Sequence, residues 1–296
     1  MRMANEALTR RAFCAVAAGT AGLAIAEVGA NPLREFMRVF ASSAAGEVWY
    51  AYGGVIEIAA PDQIITPLCG VQTLIRRSVQ PGGAAANTAA DEFVVTTWEG
   101  NYYHSLQDLT PRAELINPAT SALVRPLHFR EGRRITRYTV DWLRPFVADG
   151  IDSRIEWRTA GPFSWLRRQL HVDVPHPLDL QRWRLESSGT RNRSGSFSTT
   201  CVQNRDLQNP LLSTVPGSFE YQAIFGWLPW MLMGQRPGHL VWRAHGLKLP
   251  SIEMLDATVR RGFEAVFPAL LATREPWSDS TSLWDDYQRV RTPAAI

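Results

Sequence analysis

The residues best suited to chemistry lie in one predicted strand segment, DEFVVTTWEGNYYHSLQD (residues 91–108). Alternation along a strand places Trp98, Tyr102 and His104 on one face. A histidine beside aromatic rings in a barrel interior can act as a general base or orient a ligand, because its ordinary pKa lies near neutrality. We therefore predict His104 and Tyr102 as catalytic residues and Trp98 as a ligand contact. The alternative is a histidine that is hydrogen-bonded within the core.

An acidic residue follows in ITRYTVDWL (residues 135–143). Strand alternation places Tyr138 on the same face as Trp142, while Asp141 points the other way. If Asp141 pointed inward, burial would raise its pKa and make it a candidate acid or base. The alternative is an ordinary surface aspartate. We predict Tyr138 as a ligand contact and retain Asp141 among the catalytic candidates.

A metal-like cluster occurs in HVDVPH (residues 171–176). On a strand, His171 and Asp173 would lie on one face about 6.6 Å apart, and His176 follows a turn. Three such ligands suit zinc or iron. The same triplet arises often by chance, so no metal and no other cofactor is predicted. The chain also shows no Gly-x-Ser-x-Gly elbow, which leaves a serine hydrolase without local support.

The segment GWLPWMLMGQRPGHL (residues 226–240) is unusually rich in Trp, Met, Pro and Gly. Pro229 blocks a ladder hydrogen bond, and Pro237-Gly238 is typical of the centre of a type II turn. We therefore predict a shaped loop between two strands. An apolar loop of this kind covers something, since large exposed apolar patches are rare. We expect Trp230 to close one end of a cavity, with Met233 contacting the ligand.

The chain is predicted to be mainly β. About ten short segments alternate like strands, among them EVWYAYGGVIEIA (47–59), which places Tyr50 and Tyr52 on one face as ligand contacts. One helix is predicted over residues 251–272, with Ser251 as its N-cap and a kink or an end at Pro268. We predict an antiparallel β-barrel, lipocalin-like or similar, with this single C-terminal helix, because closure removes exposed strand edges. A two-sheet β-sandwich is the alternative.

The N-terminus resembles an export signal. Residues 1–26 contain LTRRAFCAVAAGTAGLAIA, in which Arg10-Arg11 precede a weakly hydrophobic run of small residues. This order is typical of a twin-arginine signal. We therefore predict a periplasmic or exported protein, one β-rich domain over residues 27–296, and no stable membrane insertion after signal removal. An ordinary amphipathic N-terminal helix is the alternative.

Charge and cysteine content narrow the choice of partners. The formal net charge is +3, and the chain has no run of five or more basic residues, so nucleic acid is not an expected partner. Beyond residues 1–26, the cysteines are Cys69 and Cys201. We expect two separate buried thiols, although an oxidising compartment would also permit one disulfide.

Several motifs together resemble a known family. Pro229-Trp230-Met231-x-Met233-Gly234, Pro237-Gly238-x-Leu240, and Arg243, Gly246 and Lys248 look like the signature of domain-of-unknown-function family 1838. Trp49-Tyr50, Asp108, Asn117-Pro118-x-Thr120 and Ser187-Ser188-Gly189 agree with it over about residues 31–280. The family often has Gly where Ser121 stands, which puts the geometry of that turn in question. The resemblance implies no established activity, although bacterial members often carry export signals.

The resemblance also bears on the strand HLVWRAHG (residues 239–246). Alternation puts His239 and Arg243 on one face and Leu240 and Trp242 on the other, which alone would leave Arg243 in solvent. Because Arg243 belongs to the family pattern, we expect a buried role in which it holds a carboxylate through both prongs of its guanidinium. His239 is then a ligand contact.

Taken together, these residues predict a cavity lined by aromatic side chains. We expect a cofactor-independent lyase, isomerase or cyclase acting on a hydrophobic or aromatic small molecule. The alternatives are a non-catalytic binder or carrier of the same ligand class and a structural envelope protein with a solid core. The oligomeric state is left open. The predicted catalytic residues are His104, Tyr102, Arg243 and Asp141, and the predicted ligand contacts are Tyr50, Tyr52, Trp98, Tyr138, Trp230, Met233 and His239.

Overall fold

The computed structural model describes residues 31–61, 63–82, 92–272 and 275–294. The residues from Leu33 onward form one compact unit. The predicted export signal, residues 1–26, lies outside the described residues. None of the helices in the described part of the chain is both long enough and apolar enough to cross a bilayer.

Ten antiparallel strands form one sheet in the order β6-β3-β2-β1-β12-β11-β10-β9-β8-β7. The strands of this sheet are β1 (Gly46–Ala59), β2 (Thr66–Pro81), β3 (Phe93–His104), β6 (Phe129–Tyr138), β7 (Phe146–Ala148), β8 (Ile151–Ala160), β9 (Phe163–Pro175), β10 (Arg191–Gln203), β11 (Gly217–Phe225) and β12 (His239–Leu249). A separate hairpin pairs β4 (Leu115–Ile116) with β5 (Leu123–Val124). The helices are α1 (Pro32–Phe40), α2 (Asn204–Gln208), α3 (Ala257–Val266), α4 (Pro268–Ala272) and α5 (Leu283–Val290).

The sheet curls strongly but does not close. Tyr138 on β6 and Leu166 on β9 belong to one buried cluster, although seven strand spacings, about 34 Å in a flat sheet, separate them. Gly54 and Gly246 mark close approaches of neighbouring strands, because a Cβ there would lie 1.9 or 2.0 Å from a neighbouring carbonyl oxygen. Glycine permits such close backbone approach within strands.

The predicted barrel is therefore wrong, and so is the two-sheet sandwich. The edge strands β6 and β7 follow one another in the chain and are joined through the 3-10 helix Val140–Leu143 instead of pairing. The edge strand β7 is only three residues long and directly follows Pro145, which has no N–H to donate. Arginines recur along β6, and charged side chains on an edge discourage further pairing.

The inner face of the curled sheet is packed at both ends. At one end, α1 packs its apolar side against strand residues such as Val95 and Val202. Three inner-face side chains hold its C-terminus: the Tyr50 hydroxyl and Lys248 both donate to the Val39 carbonyl, and Arg77 donates to the Phe40 carbonyl. Cationic donors suit the carbonyl end of a helix. At the other end, the 226–238 loop fills the curl.

The outer face carries a second core beneath the C-terminal helices. Trp49, Leu74, Trp98 and Tyr102 pack there against Phe263 of α3. The single helix predicted over residues 251–272 is instead three pieces, a 3-10 helix at Ile252–Met254 followed by α3 and α4. Ser251 does cap the first piece, as predicted. The first break arises because Asp256 caps α3 through the Thr258 and Val259 amides. The second lies at Pro268, where an interruption was predicted, and Pro268 begins a new helix.

Candidate functional site

The residues predicted to share one face of a catalytic strand do share it, but that face lies on the outside of the curled sheet. Trp98, Tyr102 and His104 share one face of β3, which packs beneath α3 in the outer core. The His104 ring covers Gly70, where a Cβ would overlap it. His104 Nδ1 lies 2.7 and 2.9 Å from the carbonyl oxygens of Ser105 and Asp108, so this nitrogen carries the hydrogen and donates it. The geometry is that of a histidine holding a loop within a core.

The predicted charged residues also stay on the outside. The Arg243 side chain is 55% exposed on the outer face and pairs with Glu57 at 3.2 Å. Asp141 is 72% exposed and pairs with Arg144 at 3.2 Å. The expectations of a buried Arg243 and an inward Asp141 are therefore corrected, because each side chain finds its counter-ion at the surface. His239 is partly buried on the same outer face as Arg243, so none of these residues meets His104 in one cavity.

Among the predicted ligand contacts, Tyr50, Tyr52 and Tyr138 are buried on the inner face. The Tyr50 hydroxyl is committed to α1, as described above. Tyr138 contacts Trp142 at a ring distance of 4.9 Å. The curl thus brings aromatic side chains together on its inside, while Trp98 remains outside.

The 226–238 loop forms the second packed end. Trp230 and Met233 are buried there, and the Trp230 ring lies 5.2 Å from that of Tyr103. The predicted turn is displaced: the Arg236 amide donates to the Met233 carbonyl, which centres the turn on Gly234 and Gln235. Trp230 therefore closes one end of the curl as part of a packed core.

On the inner face of the sheet, a strip of polar residues lies between the end packed by α1 and the end packed by the 226–238 loop. We call it the inner groove and define it by Tyr52, Thr73, Glu99, Asn101 and Tyr221, which all point to the inside of the sheet. The Thr73 hydroxyl donates to Asn101 Oδ1 at 2.5 Å, and Asn101 Nδ2 donates to Glu99 Oε1 at 3.0 Å. This chain of hydrogen bonds orients the Glu99 carboxyl group. The Glu99 side chain is partly exposed, whereas Tyr52, Thr73 and Asn101 beside it are buried.

Glu99 has the electrostatic character of an acid–base group. Burial, aided by the nearby charge of Glu131, raises the pKa of Glu99 to about 7. The Asn101 hydrogen bond and the charges of Arg134 and Arg77 oppose this shift without cancelling it. Glu131 itself pairs with Arg134 at 3.2 Å near the rim. Glu99 therefore changes protonation close to neutral pH.

Two phenols face this carboxyl group. Burial raises the pKa of both Tyr52 and Tyr221, and the charge of Glu99 raises both further. They therefore remain neutral hydrogen-bond donors at physiological pH. Their rings meet Trp242 at 6.3 and 4.9 Å, which makes an aromatic wall beside the carboxyl group.

Sequence reasoning missed the inner face of β3. Thr97, Glu99 and Asn101 alternate with the aromatic residues that were predicted to line the cavity, so they were left without a role. The available signal was on the neighbouring strand, where Thr73 sits among apolar residues. When polar residues on adjacent strands point to the same side of a sheet, they indicate a polar strip shared by the two strands and not a face exposed to solvent.

The metal-like triplet is not gathered into a site. His171 and Asp173 border an open depression of about 690 Å³ at the ends of β8, β9 and β10. Asp173 pairs there with Arg191 at 2.7 Å and Arg193 at 3.4 Å, while His176 Nδ1 accepts from the Leu178 amide. In the described ranges, no three His, Cys, Asp or Glu side chains converge as metal ligands would.

The two cysteines lie on opposite faces of the sheet. Cys69 points inward and is buried, whereas Cys201 points outward and is half-buried. Both are free thiols, as predicted, although Cys201 is less buried than expected. A disulfide between them would have to cross the sheet.

The Asn117-Pro118 motif ties the β4–β5 hairpin to the 226–238 loop. Asn117 Nδ2 donates to the Met231 carbonyl, and Asn117 Oδ1 accepts from the Ala119 amide. Ser121 closes the turn with φ of 57°, the left-handed conformation that glycine adopts without penalty. The serine thus keeps the turn that the usual glycine of this pattern would form.

Comparison with known proteins agrees with the motifs. A search of curated proteins finds no match. The model of the family described as "Protein of unknown function (DUF1838)" matches residues 83–290. This range includes most of the inner groove, the Asn117 hairpin and the 226–238 loop, and the chain therefore belongs to the DUF1838 family.

Proposed function

We propose that this protein is a proton-transfer enzyme, an isomerase, lyase or cyclase, that acts on a hydrophobic small molecule bound in the inner groove. The observation that supports it is Glu99, a carboxyl group held by Asn101 with a pKa raised to about 7. A group whose pKa lies near the working pH both accepts and returns protons efficiently. Perturbed groups of this kind concentrate at functional sites.

Four of the five groove residues take a role in such a step. The ionised Glu99 removes a proton from carbon next to a substrate carbonyl, and the released electron pair moves onto the carbonyl oxygen. Tyr52 and Tyr221, as neutral phenols, donate hydrogen bonds to that oxygen as its charge develops. In a substrate with a carbon–carbon double bond at the β,γ position, the electron pair returns from the oxygen through the resulting dienolate. The protonated Glu99 delivers its proton to the γ carbon, which moves the double bond into conjugation and completes an isomerisation. Asn101 keeps the carboxyl group in place throughout.

A non-catalytic carrier is the second candidate. The ring cluster of Tyr52, Tyr221 and Trp242, with centroids 4.9–6.3 Å apart, offers the aromatic wall that holds a hydrophobic ligand. A carrier needs this wall and the phenol donors but has no use for a carboxyl group that titrates near neutrality.

Proton abstraction is testable before the natural substrate is known. Purified protein is incubated in D₂O with phenylpyruvate, 2-oxobutyrate and cyclohexanone, and deuterium incorporation next to the carbonyl is followed by ¹H NMR. We expect exchange above the buffer rate for at least one compound, and a loss of about 100-fold or more in Glu99→Gln. Glu264→Gln makes the same change on the exposed surface of α3 and should leave the rate unaltered. If none of the three compounds exchanges, or if Glu99→Gln exchanges as fast as the native protein, the enzyme is rejected in favour of the carrier.

We also propose that residues 1–26 export the protein to the periplasm through the twin-arginine route. Arg10-Arg11 followed by a weakly hydrophobic run support this. Replacement of Arg10 and Arg11 by Lys should trap the precursor in the cytoplasm, as seen by fractionation and immunoblotting. Normal amounts of mature protein in the periplasm would show that another route is used.

A further inference from the structure

A narrow cavity opens on the inner face beside the groove. Its volume is about 80 Å³. A single water requires roughly 10–15 Å³ on a comparable scale, whereas a site for a whole drug-sized ligand measures about 300 Å³ or more. The cavity is therefore sized for one chemical group. We call it the arginine pocket, and its lining residues are Phe40, Arg77, Thr97, Arg134, Thr136, Tyr138, Trp142 and Arg168.

Three guanidinium groups converge on this small space from three different strands. Arg77 lies over the Phe40 ring at 3.9 Å and donates to the Phe40 carbonyl. Arg134 pairs with Glu131 at 3.2 Å. Arg168 reaches across from β9 and lies over the Trp142 ring at 5.9 Å. Among these three arginines, only Arg134 forms a direct ion pair with a carboxylate in the described part of the chain.

The charge and the hydrogen-bonding capacity of the pocket are incompletely satisfied. The Nε atoms of Arg77 and Arg168 are buried and find no hydrogen-bond partner among the described residues. Burial lowers the pKa of Arg168, and the charges of Arg134 and Arg77 lower it further. Buried donors in proteins are nearly always paired, and these two Nε–H donors belong to arginines that line the cavity, so a group bound there can supply the acceptors that they lack.

An anion would satisfy both the positive charge and the unpaired donors of the pocket. Carboxylate and phosphoryl oxygens match the planar fork of arginine and accept several charge-assisted hydrogen bonds at once. Phe40, Tyr138 and Trp142 place aromatic walls beside that contact. The pocket also lies close to the acid–base residue, because Thr97 lines it and precedes Glu99 by two positions on the same strand face, about 6.6 Å away.

We propose that the arginine pocket binds a carboxylate or phosphoryl group of a small molecule whose uncharged body lies in the inner groove. This inference rests on the proposed function for the position of that body, but the anion contact itself requires no turnover. The proposal defines the substrate class: a hydrophobic molecule that can pack against aromatic side chains and that carries one anionic group a few bonds from the reacting carbon.

Equilibrium binding of matched probes tests the proposal. Isothermal titration calorimetry with phenylacetate, phenyl phosphate and phenylacetamide compares a carboxylate, a phosphoryl group and a neutral isostere on one aromatic body. We expect at least one anion to bind and the amide to bind at least tenfold more weakly. Preference for phenylacetate identifies a carboxylate substrate, and preference for phenyl phosphate identifies a phosphorylated one. Binding of neither anion, or equal binding of the amide, overturns the proposal.

Variants on one strand provide the matched control. Arg168→Met should weaken anion binding roughly 10- to 100-fold, the range expected for loss of charge-assisted hydrogen bonds. Arg167→Met removes the adjacent arginine, which is exposed on the outer face, and should change affinity less than twofold. If Arg168→Met does not fold, as judged by circular dichroism, Arg134→Met at the exposed rim replaces it. Unchanged affinity in whichever pocket variant folds overturns the site.

The two proposals fail separately. Glu99→Gln should bind the anion at least as tightly as the native protein, because a negative charge near the pocket has been removed. Anion binding without any proton exchange therefore rejects the enzyme and keeps the pocket. If instead the native protein binds neither anion, and Arg168→Met exchanges cyclohexanone protons at the native rate, the pocket is rejected and the enzyme stands.

Discussion

The two faces of β3 carry opposite kinds of side chains into opposite surroundings. The outer face presents Trp98, Tyr102 and His104 to an apolar core, where His104 donates to two loop carbonyls. The inner face presents Glu99 and Asn101 to a polar groove in which Glu99 has a raised pKa. Residue type alone favoured the outer face, since histidine and tyrosine are common catalytic groups. The pairing and burial of each polar group favour the inner face, because the Nδ1 hydrogen of His104 is already committed to two loop carbonyls.

The largest effect should come from the outer core. Trp98 is buried, and its indole N–H donates to the Trp277 carbonyl at 2.9 Å. Trp98→Ala removes that bond and leaves a cavity, which should cost about 3–5 kcal/mol of unfolding free energy in urea. Phenylacetate affinity of the folded fraction should stay within twofold of the native value. A large loss of affinity with little loss of stability would move the binding site to the outer face.

His104 should have a smaller and purely structural effect. His104→Ala leaves the Ser105 and Asp108 carbonyls without their donor, and we expect a loss of about 1–3 kcal/mol in unfolding free energy. Proton exchange per folded molecule should remain unchanged. His104→Asn, which can restore one donor, should recover part of the stability. A loss of exchange in a stably folded His104 variant would restore the catalytic role that the residue type suggested.

On the inner face, substitution of Glu99 should raise the unfolding free energy instead of lowering it. Its raised pKa means that the folded protein holds a proton which the unfolded chain releases, so stability falls as pH rises from the ordinary glutamate value of 4.5 to about 7. Above that window the penalty is complete, and below it the penalty is absent. Glu99→Gln avoids the charge and keeps an oxygen for Asn101, so it should be more stable by about 1–2 kcal/mol at pH 8.

Urea titrations at pH 4.5 and pH 8 measure this difference directly. The two proteins should have nearly equal stability at pH 4.5 and should separate at pH 8. Glu264→Gln, at the surface of α3, should follow the native protein at both values. If Glu99→Gln is less stable at pH 8, the ionised carboxylate is well accommodated and Glu99 is an ordinary acidic residue.

Local patterns predicted the strands, the 226–238 loop and the family, because these depend on alternation and on Pro and Gly positions. The barrel was wrong because closure depends on whether β6 and β7 can pair, which alternation along each strand does not show. The candidate site was missed for a related reason. Which face of β3 lies inside depends on the direction of the curl and on where α1 and α3 pack, and these contacts join residues far apart in sequence. Arg168 illustrates this, because nothing near it in the chain indicates that it approaches Arg77.

Arg243 should have the smallest effect, and for that reason it tests the comparison most cleanly. Its membership in the family pattern suggested a buried catalytic residue that holds a carboxylate, whereas the structure places more than half of its side chain in solvent beside Glu57. An exposed ion pair contributes about 0–1 kcal/mol, so Arg243→Gln should change the unfolding free energy by less than about 0.5 kcal/mol. Phenylacetate affinity should be unchanged, in contrast with the roughly 10-fold or greater loss expected for Arg168→Met. Both substitutions remove one arginine charge from the same sheet, so overall charge cannot explain a difference between them. If Arg243→Gln weakens binding as much as Arg168→Met does, the anion binds at the outer surface, and the inner groove is rejected as the functional site.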